Sequence, residues 1–242
     1  MSCNQEASDL VRAQTALYQD SQYDLVARFY PGLERCVFGF HLENARQAFY
    51  EFALQSDRIL LVGEGNGRFL KSLLARKTGG SIYVVEKSSV MIRLAKDRID
   101  NRGKTDLKFI EADIRCYAPE QSFDCIVTHF FLDQFNPPAQ QAIIERFKES
   151  TTENGTWINV DFIPPRTMKG RALMWLQYTF FRIMSQIEAR CCFDESTVAA
   201  RNGWTVLESL SFLSGFVVAK RYKKNRNAQS PKPRVFPSTS VH

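Results

Sequence analysis

Along the chain, short apolar runs of four to six residues alternate with stretches of ten or more residues in helical period. That alternation predicts a parallel sheet built from strand–helix–strand units. The runs are RILLVG (58–63), SIYVVE (81–86), LKFIEA (107–112), FDCIVTH (123–129) and TWINVDF (156–162). Between them, GRFLKSLLARK sets Phe69, Leu70, Leu73 and Leu74 on one helical face, and SVMIRLAKDRI does the same with Val90, Met91, Leu94, Ala95 and Ile99. Thr78-Gly79-Gly80 and Asn101-Arg102-Gly103 supply the glycine that a helix C-terminus favours. A further helix is predicted from about Pro138 to Ser150, closed by a turn at Glu153-Asn154-Gly155.

After the fifth run, an aromatic-rich helix is expected from about Met168 to Ala189, then a short helix with Asp194 as its N-cap. The chain returns to β pattern in WTVLESLSF (204–212) and GFVVAKRY (215–222), joined through Leu213-Ser214-Gly215. That joint is too short for a parallel crossover, so these two strands must be antiparallel to each other. The fold class predicted is α/β: a three-layer α/β/α sandwich around a mostly parallel seven-stranded sheet that ends in an antiparallel hairpin. A dinucleotide dehydrogenase would instead continue with βαβ units.

Composition narrows the class. With 44% hydrophobic and 24% charged residues in 242, the chain can bury one ordinary core. No apolar run approaches the roughly 18 residues of a membrane span, and the start lacks the character of a secretory signal. The expectation is a soluble, cytoplasmic protein. The six cysteines are scattered and only three histidines exist, so buried thiols are expected and no metal. The net charge of +6 is carried by seven basic residues after Ala219, where no acid stands, which leaves the preceding part at −1. Nucleic acid is therefore an unlikely partner, and residues 223–242 are expected to be a basic disordered tail.

The chemistry lies at ILLVGEGNGRFL, where Gly63, Gly65 and Gly67 follow a buried strand and open a helix. Glycine lets the backbone turn sharply and approach a ligand, and N–H groups at the helix start face it. The spacing fits GxGxxG of the NAD fingerprint poorly, because position 68 is Arg68, and the lysine of a P-loop is missing. Gly63 to Gly67 resembles motif I (GxGxG) of class I, Rossmann-like, S-adenosylmethionine-dependent methyltransferases, of the small-molecule type.

The resemblance extends over about 52–222. It implies that Glu86 accepts hydrogen bonds from the ribose hydroxyls of S-adenosylmethionine, with Lys87, Ser88 and Met91 lining the ribose and adenine. It implies further that Asp113 accepts from the adenine amino group with Ile114 beside the base, and that Thr128, His129 and Phe130 end the fourth strand near the methyl acceptor. The segment YDLVARFY (Tyr23 to Tyr30) is similar to the lid helix of small-molecule methyltransferases, which implies an N-terminal helical lid over 1–50 and a methyltransferase domain over 51–222. One position departs from the family. Leu61 stands where an acid usually helps hold the methionine moiety, and Glu64 is the candidate substitute.

Methyl transfer needs a nucleophile held in line with the S–CH3 bond and water excluded. Phe130, Phe131 and Tyr30 are candidates for cation–π contact with the sulfonium, and Tyr23 and Tyr178 for lid and acceptor contacts. His129 is the preferred general base, with Asp133 as a second catalytic candidate. Competing readings are a catalytically degraded cofactor-binding protein and, lower, a nucleic-acid methyltransferase, against which the absence of an (N/D)PPY-type tetrapeptide after the fourth strand argues.

Overall fold

The computed structural model describes residues 40–100, 104–164 and 194–225. Two short helices, α1 (His41–Arg46) and α2 (Tyr50–Gln55), precede the alternating core: β1 (Arg58–Val62), α3 (Arg68–Arg76), β2 (Ser81–Glu86), α4 (Ser89–Arg98), β3 (Asp106–Glu111) and β4 (Phe123–His129). A single 3-10 turn (Leu132–Gln134) leads into α5 (Pro137–Ser150) and β5 (Thr151–Phe162). The described chain finishes with α6 (Ser196–Arg201), β6 (Trp204–Phe212) and β7 (Val217–Lys224).

The seven strands form one sheet in the order β3-β2-β1-β4-β5-β7-β6. Strands β1 to β5 are mutually parallel, while β7 runs antiparallel between β5 and β6. The hairpin of the last two strands is as the short Leu213-Ser214-Gly215 joint requires, with Leu213 and Ser214 both in the left-handed region. The strand order reverses between β1 and β4, and in such sheets the crevice beyond the carboxyl ends at that point is where ligands bind.

Apolar side chains cover both faces of the sheet. On one, Ile59, Leu61, Val127 and Ile158 pack with Phe69, Leu70 and Leu73 of α3. On the other, Leu60, Val62, Ile126 and Trp157 pack with Ile143, Ile144 and Phe147 of α5. Trp157 stacks on Tyr222 at 4.4 Å between ring centroids, so the antiparallel β7 is fastened to β5 by ring contact as well as by the ladder. No helix among the described residues is long and apolar enough to cross a membrane.

Three sequence expectations are corrected. The turn at Glu153-Asn154-Gly155 lies inside β5 rather than before it. Phe123 pairs with Thr151 and Cys125 with Thr156, so four residues loop out opposite Asp124 alone, and pairing resumes on both sides. The N-cap of α6 is Glu195 rather than Asp194, although Asp194 still accepts the Ser196 N–H at 3.0 Å. Lys223 and Lys224, expected in the tail, close β7, where Lys224 Nζ donates to the Thr151 carbonyl at 2.8 Å. A ladder partner was available to both, and composition alone could not reveal it.

Candidate active site

The bend after β1 is held in a form only glycine adopts without strain. Gly63, Gly65 and Gly67 have φ of +64°, +63° and +78°. A Cβ on Gly63 would lie 2.2 Å from Cδ2 of Phe131, and one on Gly67 would lie 2.8 Å from Ala95 of α4. A Cβ on Gly65 would meet nothing within 4 Å, so the middle of the bend faces open space. Phe131 belongs to the loop after β4, and its ring on Gly63 brings the ends of the two switch-point strands together.

Glu86, the last residue of β2, binds this bend directly. Its Oε2 accepts the Gly65 N–H at 3.1 Å and its Oε1 accepts the Ser88 N–H at 2.9 Å. Burial pushes the Glu86 carboxyl above its usual range, and the N–H groups of Ser88, Gly65 and Lys87 pull it back down. Each oxygen keeps a lone pair beyond these bonds, as a vicinal diol would need. Ser88 also caps α4, its Oγ accepting from the Met91 N–H at 3.3 Å.

Asp113 stands just past β3, gripped by Arg115. The guanidinium donates to both carboxylate oxygens, with Nη2 at 2.6 Å from Oδ2, and Lys87 Nζ lies at 3.7 Å. These cations hold the Asp113 carboxyl below its ordinary range, the Arg115 hydrogen bond being the largest cause. Ile114 is buried in the core beside Val62 and Val85.

Glu64 turns away from the open side of the bend. Its Oε1 accepts the Leu70 N–H at 2.9 Å, at the start of α3. Desolvation pushes its carboxyl up to about 7, against the pull of the Leu70 N–H, the nearby Arg46 and the Phe69 N–H. Leu61, at the family's acidic position, is a core residue.

At the end of β4, successive side chains go to opposite faces, as the pleat requires. Thr128 is fully buried, and its hydroxyl donates to Asn159 Oδ1 at 2.7 Å and accepts from Trp157 Nε1 at 2.9 Å. Its side chain is thus occupied in the core. His129 lies on the α3 face with Phe69 edge-on at 4.6 Å, buried, with Nε2 lacking a hydrogen-bond partner. Burial, and then Arg46, lower its imidazole to about 3, so it is neutral at physiological pH. Phe130 has φ of +52°, a conformation disfavoured for a bulky residue, and its ring packs on Phe162 and under Arg46.

Asp133 is buried on the 3-10 turn beyond Phe131, across from Asp161 of β5. Oδ2 of Asp161 accepts the N–H groups of Leu132 and Asp133 at 2.9 and 3.1 Å, which sets the two carboxyls beside each other. Burial pushes Asp133 up to about 6 and raises Asp161 as well.

The bend, Glu86, Asp113, Phe131 and Asp133 therefore all stand beyond the carboxyl ends of β1 to β4. Tyr23, Tyr30 and Tyr178 lie outside the described residues. Sequence reasoning missed Asp161 and Arg46. Asp161 had a signal, an acid at the end of an otherwise buried run, whereas nothing in the linear chain marked Arg46.

Residues 59–155 match the model of a methyltransferase domain. Over 110 residues the chain is 30% identical to a malonyl-[acyl-carrier protein] O-methyltransferase of a Paenibacillus species, a stretch covering 44% of this chain and 39% of that enzyme. The chain thus spans well under half the length of the curated relative it matches. Among solved structures, the N-methyltransferase NodS of Bradyrhizobium japonicum, in complex with S-adenosyl-L-homocysteine, superposes with a TM-score of 0.58. It shares 13% identity over 75% of this chain and 86% of its own. The mitomycin 7-O-methyltransferase MmcR superposes with a TM-score of 0.61, at 15% identity over 84% of this chain and 60% of its own. These likenesses establish the fold of the methyltransferase domain, with the hairpin order β5-β7-β6 at its edge.

Proposed function

We propose that the methyltransferase domain binds S-adenosylmethionine in the crevice beyond β1 and β2 and transfers its methyl group to a small-molecule acceptor in the cytoplasm. The carrying observation is the contact of Glu86 with Gly65. One carboxylate braces a three-glycine bend from beneath and retains acceptor capacity toward the open side where a Cβ would meet nothing. That arrangement fits a ribose whose diol needs acceptors and whose neighbouring carboxylate and sulfonium groups need a close backbone approach.

When bound, S-adenosylmethionine supplies a methyl group already activated on a sulfonium sulfur. The chain's own residues hold and shield it. Glu86 takes the ribose hydroxyls, Met91 and Ile114 border the base, and Asp113, kept ionised by Arg115, accepts from the adenine amino group. Lys87 and Ser88 fix the turn that carries Glu86. Glu64 contributes by anchoring the bend to α3, and it does so beside Arg46 at the amino-acid end of the cofactor. Phe130 and Phe131 exclude water and offer ring faces to positive charge. His129, neutral and buried, serves as a wall of the site, while Asp133 is the better placed proton acceptor because its carboxyl titrates closer to neutrality.

Calorimetric titration with S-adenosylhomocysteine tests this reading. The wild-type chain is expected to bind it, and Glu86→Ala to weaken binding by about 1–3 kcal/mol, the cost of losing a charged hydrogen-bond partner. Equal affinity in the two proteins would remove Glu86 from the site, and no binding by the wild type would overturn the function.

A further inference from the structure

Two neighbouring carboxylates out of water repel each other and can only accept hydrogen bonds, so such a pair holds on to a proton. Asp133 and Asp161 are such neighbours: both are more than nine-tenths buried, Asp161 Oδ2 accepts the Asp133 N–H at 3.1 Å, and the charge of Asp133 pushes the Asp161 carboxyl up. The pair is also built into the backbone. Asp161 takes the N–H groups of Leu132 and Asp133 on one oxygen and that of Phe162 on the other, so the acid at the end of β5 fixes the turn that follows β4. On the other side of the pair, Oδ1 of Asp133 is buried with no hydrogen-bond partner. An unpaired buried carboxyl oxygen costs about 1–3 kcal/mol, which marks it as a place where a ligand's donor would be welcome.

We propose that Asp133 and Asp161 act as one proton-sharing carboxyl pair, in which Asp133 accepts the proton of a neutral hydroxyl, thiol or amine on the methyl acceptor and Asp161 is its positioning residue. This rests on the methyltransferase reading above. As the acceptor's heteroatom forms its bond to the methyl carbon, the electron pair of the C–S bond goes to sulfur and the heteroatom's proton passes to the pair. The pair then holds two protons and returns one to solvent before the next turnover.

The surroundings suit a single proton. From the segment before α6, Glu195 faces Asp161 and discourages a second negative charge there. Glu195 is itself held in place by Lys220 of β7 at 3.3 Å and by the Tyr222 hydroxyl at 2.7 Å. From α5, Gln140 donates to the Leu132 carbonyl and carries no charge. His129 of β4 is neutral. Mutual repulsion and burial then keep one proton on the pair at neutral pH, as close carboxylates must.

The test uses the full chain and the variants Asp133→Asn and Asp161→Asn, each of which keeps a carbonyl oxygen for the backbone donors. Homocysteine-product calorimetry comes first. All three proteins are expected to bind S-adenosylhomocysteine within about twofold, and absence of binding by the wild type sinks the cofactor reading rather than the pair. Carbon-13 carboxyl titration of the saturated proteins follows. The wild type is expected to show one protonated buried carboxyl at pH 7 that both variants lack. Two carboxyls ionised in the ordinary range would overturn the proposal whatever the enzyme's activity.

Methyl transfer to a probe panel of a phenol, an aryl thiol and an aniline completes it. Asp133→Asn should lose about 100-fold or more in rate, as removal of a general base does. Asp161→Asn should stay within about tenfold of wild type, with the acid limb of its pH profile moved to lower pH because the repulsion is gone. An unchanged rate in Asp133→Asn, or no methylation of any neutral probe by a protein that binds the cofactor product, refutes the assignment.

Discussion

Replacing Gly63 by alanine sets a methyl group 2.2 Å from Cδ2 and 2.8 Å from Cε2 of Phe131, at a φ of +64°. Two costs follow. The left-handed conformation costs a non-glycine residue about 1–2 kcal/mol. Forcing an extra methyl into a packed contact costs about 1–3 kcal/mol more, since the Phe131 ring must leave its edge contact with Phe135, 5.0 Å away. Gly63→Ala should therefore destabilise the chain by about 2–5 kcal/mol in urea denaturation. The informative measurement is the double mutant. Phe131→Ala removes the ring that the new methyl strikes, so Gly63→Ala should cost only its backbone share in that background. The coupling should then be about 1–3 kcal/mol. Additivity within about 0.5 kcal/mol would mean that the loops after β1 and β4 do not touch, and the convergence of the site at the switch point would be lost with it.

Other measurements probe the buried charges. Glu64 binds a proton in the folded state up to about 7 but only up to its ordinary 4.5 when unfolded, so it makes stability fall as pH rises between those values. Glu64→Gln should flatten that fall by up to ~3 kcal/mol relative to wild type, measured by denaturation at pH 4.5 and 7.5, and parallel curves would refute the burial of this acid. His129 acts in the opposite sense, adding stability as pH rises from about 3 to 6.5, so His129→Phe should hold its stability better than wild type on acidification through that window. Lys220→Met removes the ammonium that bonds Asp194, Glu195 and Ser196, leaving the buried Glu195 with Tyr222 as its side-chain donor. A loss of about 3 kcal/mol is expected, largely restored by adding Glu195→Gln.

The linear chain determined the strand and helix sequence, the antiparallel end and the glycine bend. Each depends on local period or on a loop too short to offer a choice, as Leu213-Ser214-Gly215 illustrates. It also singled out Glu86 and Asp113 as candidates, because acids that close buried strands stand out by type. Its errors were of another kind. Thr128 looked available from its position at a strand end, yet the pleat turns its hydroxyl onto Trp157. Lys223 and Lys224 looked like tail until β5 and β6 supplied neighbours.

Only the tertiary structure decided which groups at the strand ends become partners. Asp133 and Asp161 are separated by the whole of α5, and Arg46 reaches Phe130 and the surroundings of Glu64 from before β1. Periodicity reports which face of one element is apolar and nothing about which element lies next to it. Hydrogen bonds and burial, and hence proton affinities, are set by that adjacency. For this reason the sequence could offer His129 as a candidate base, while its enclosure by Phe69 and the sheet is what lowers its proton affinity.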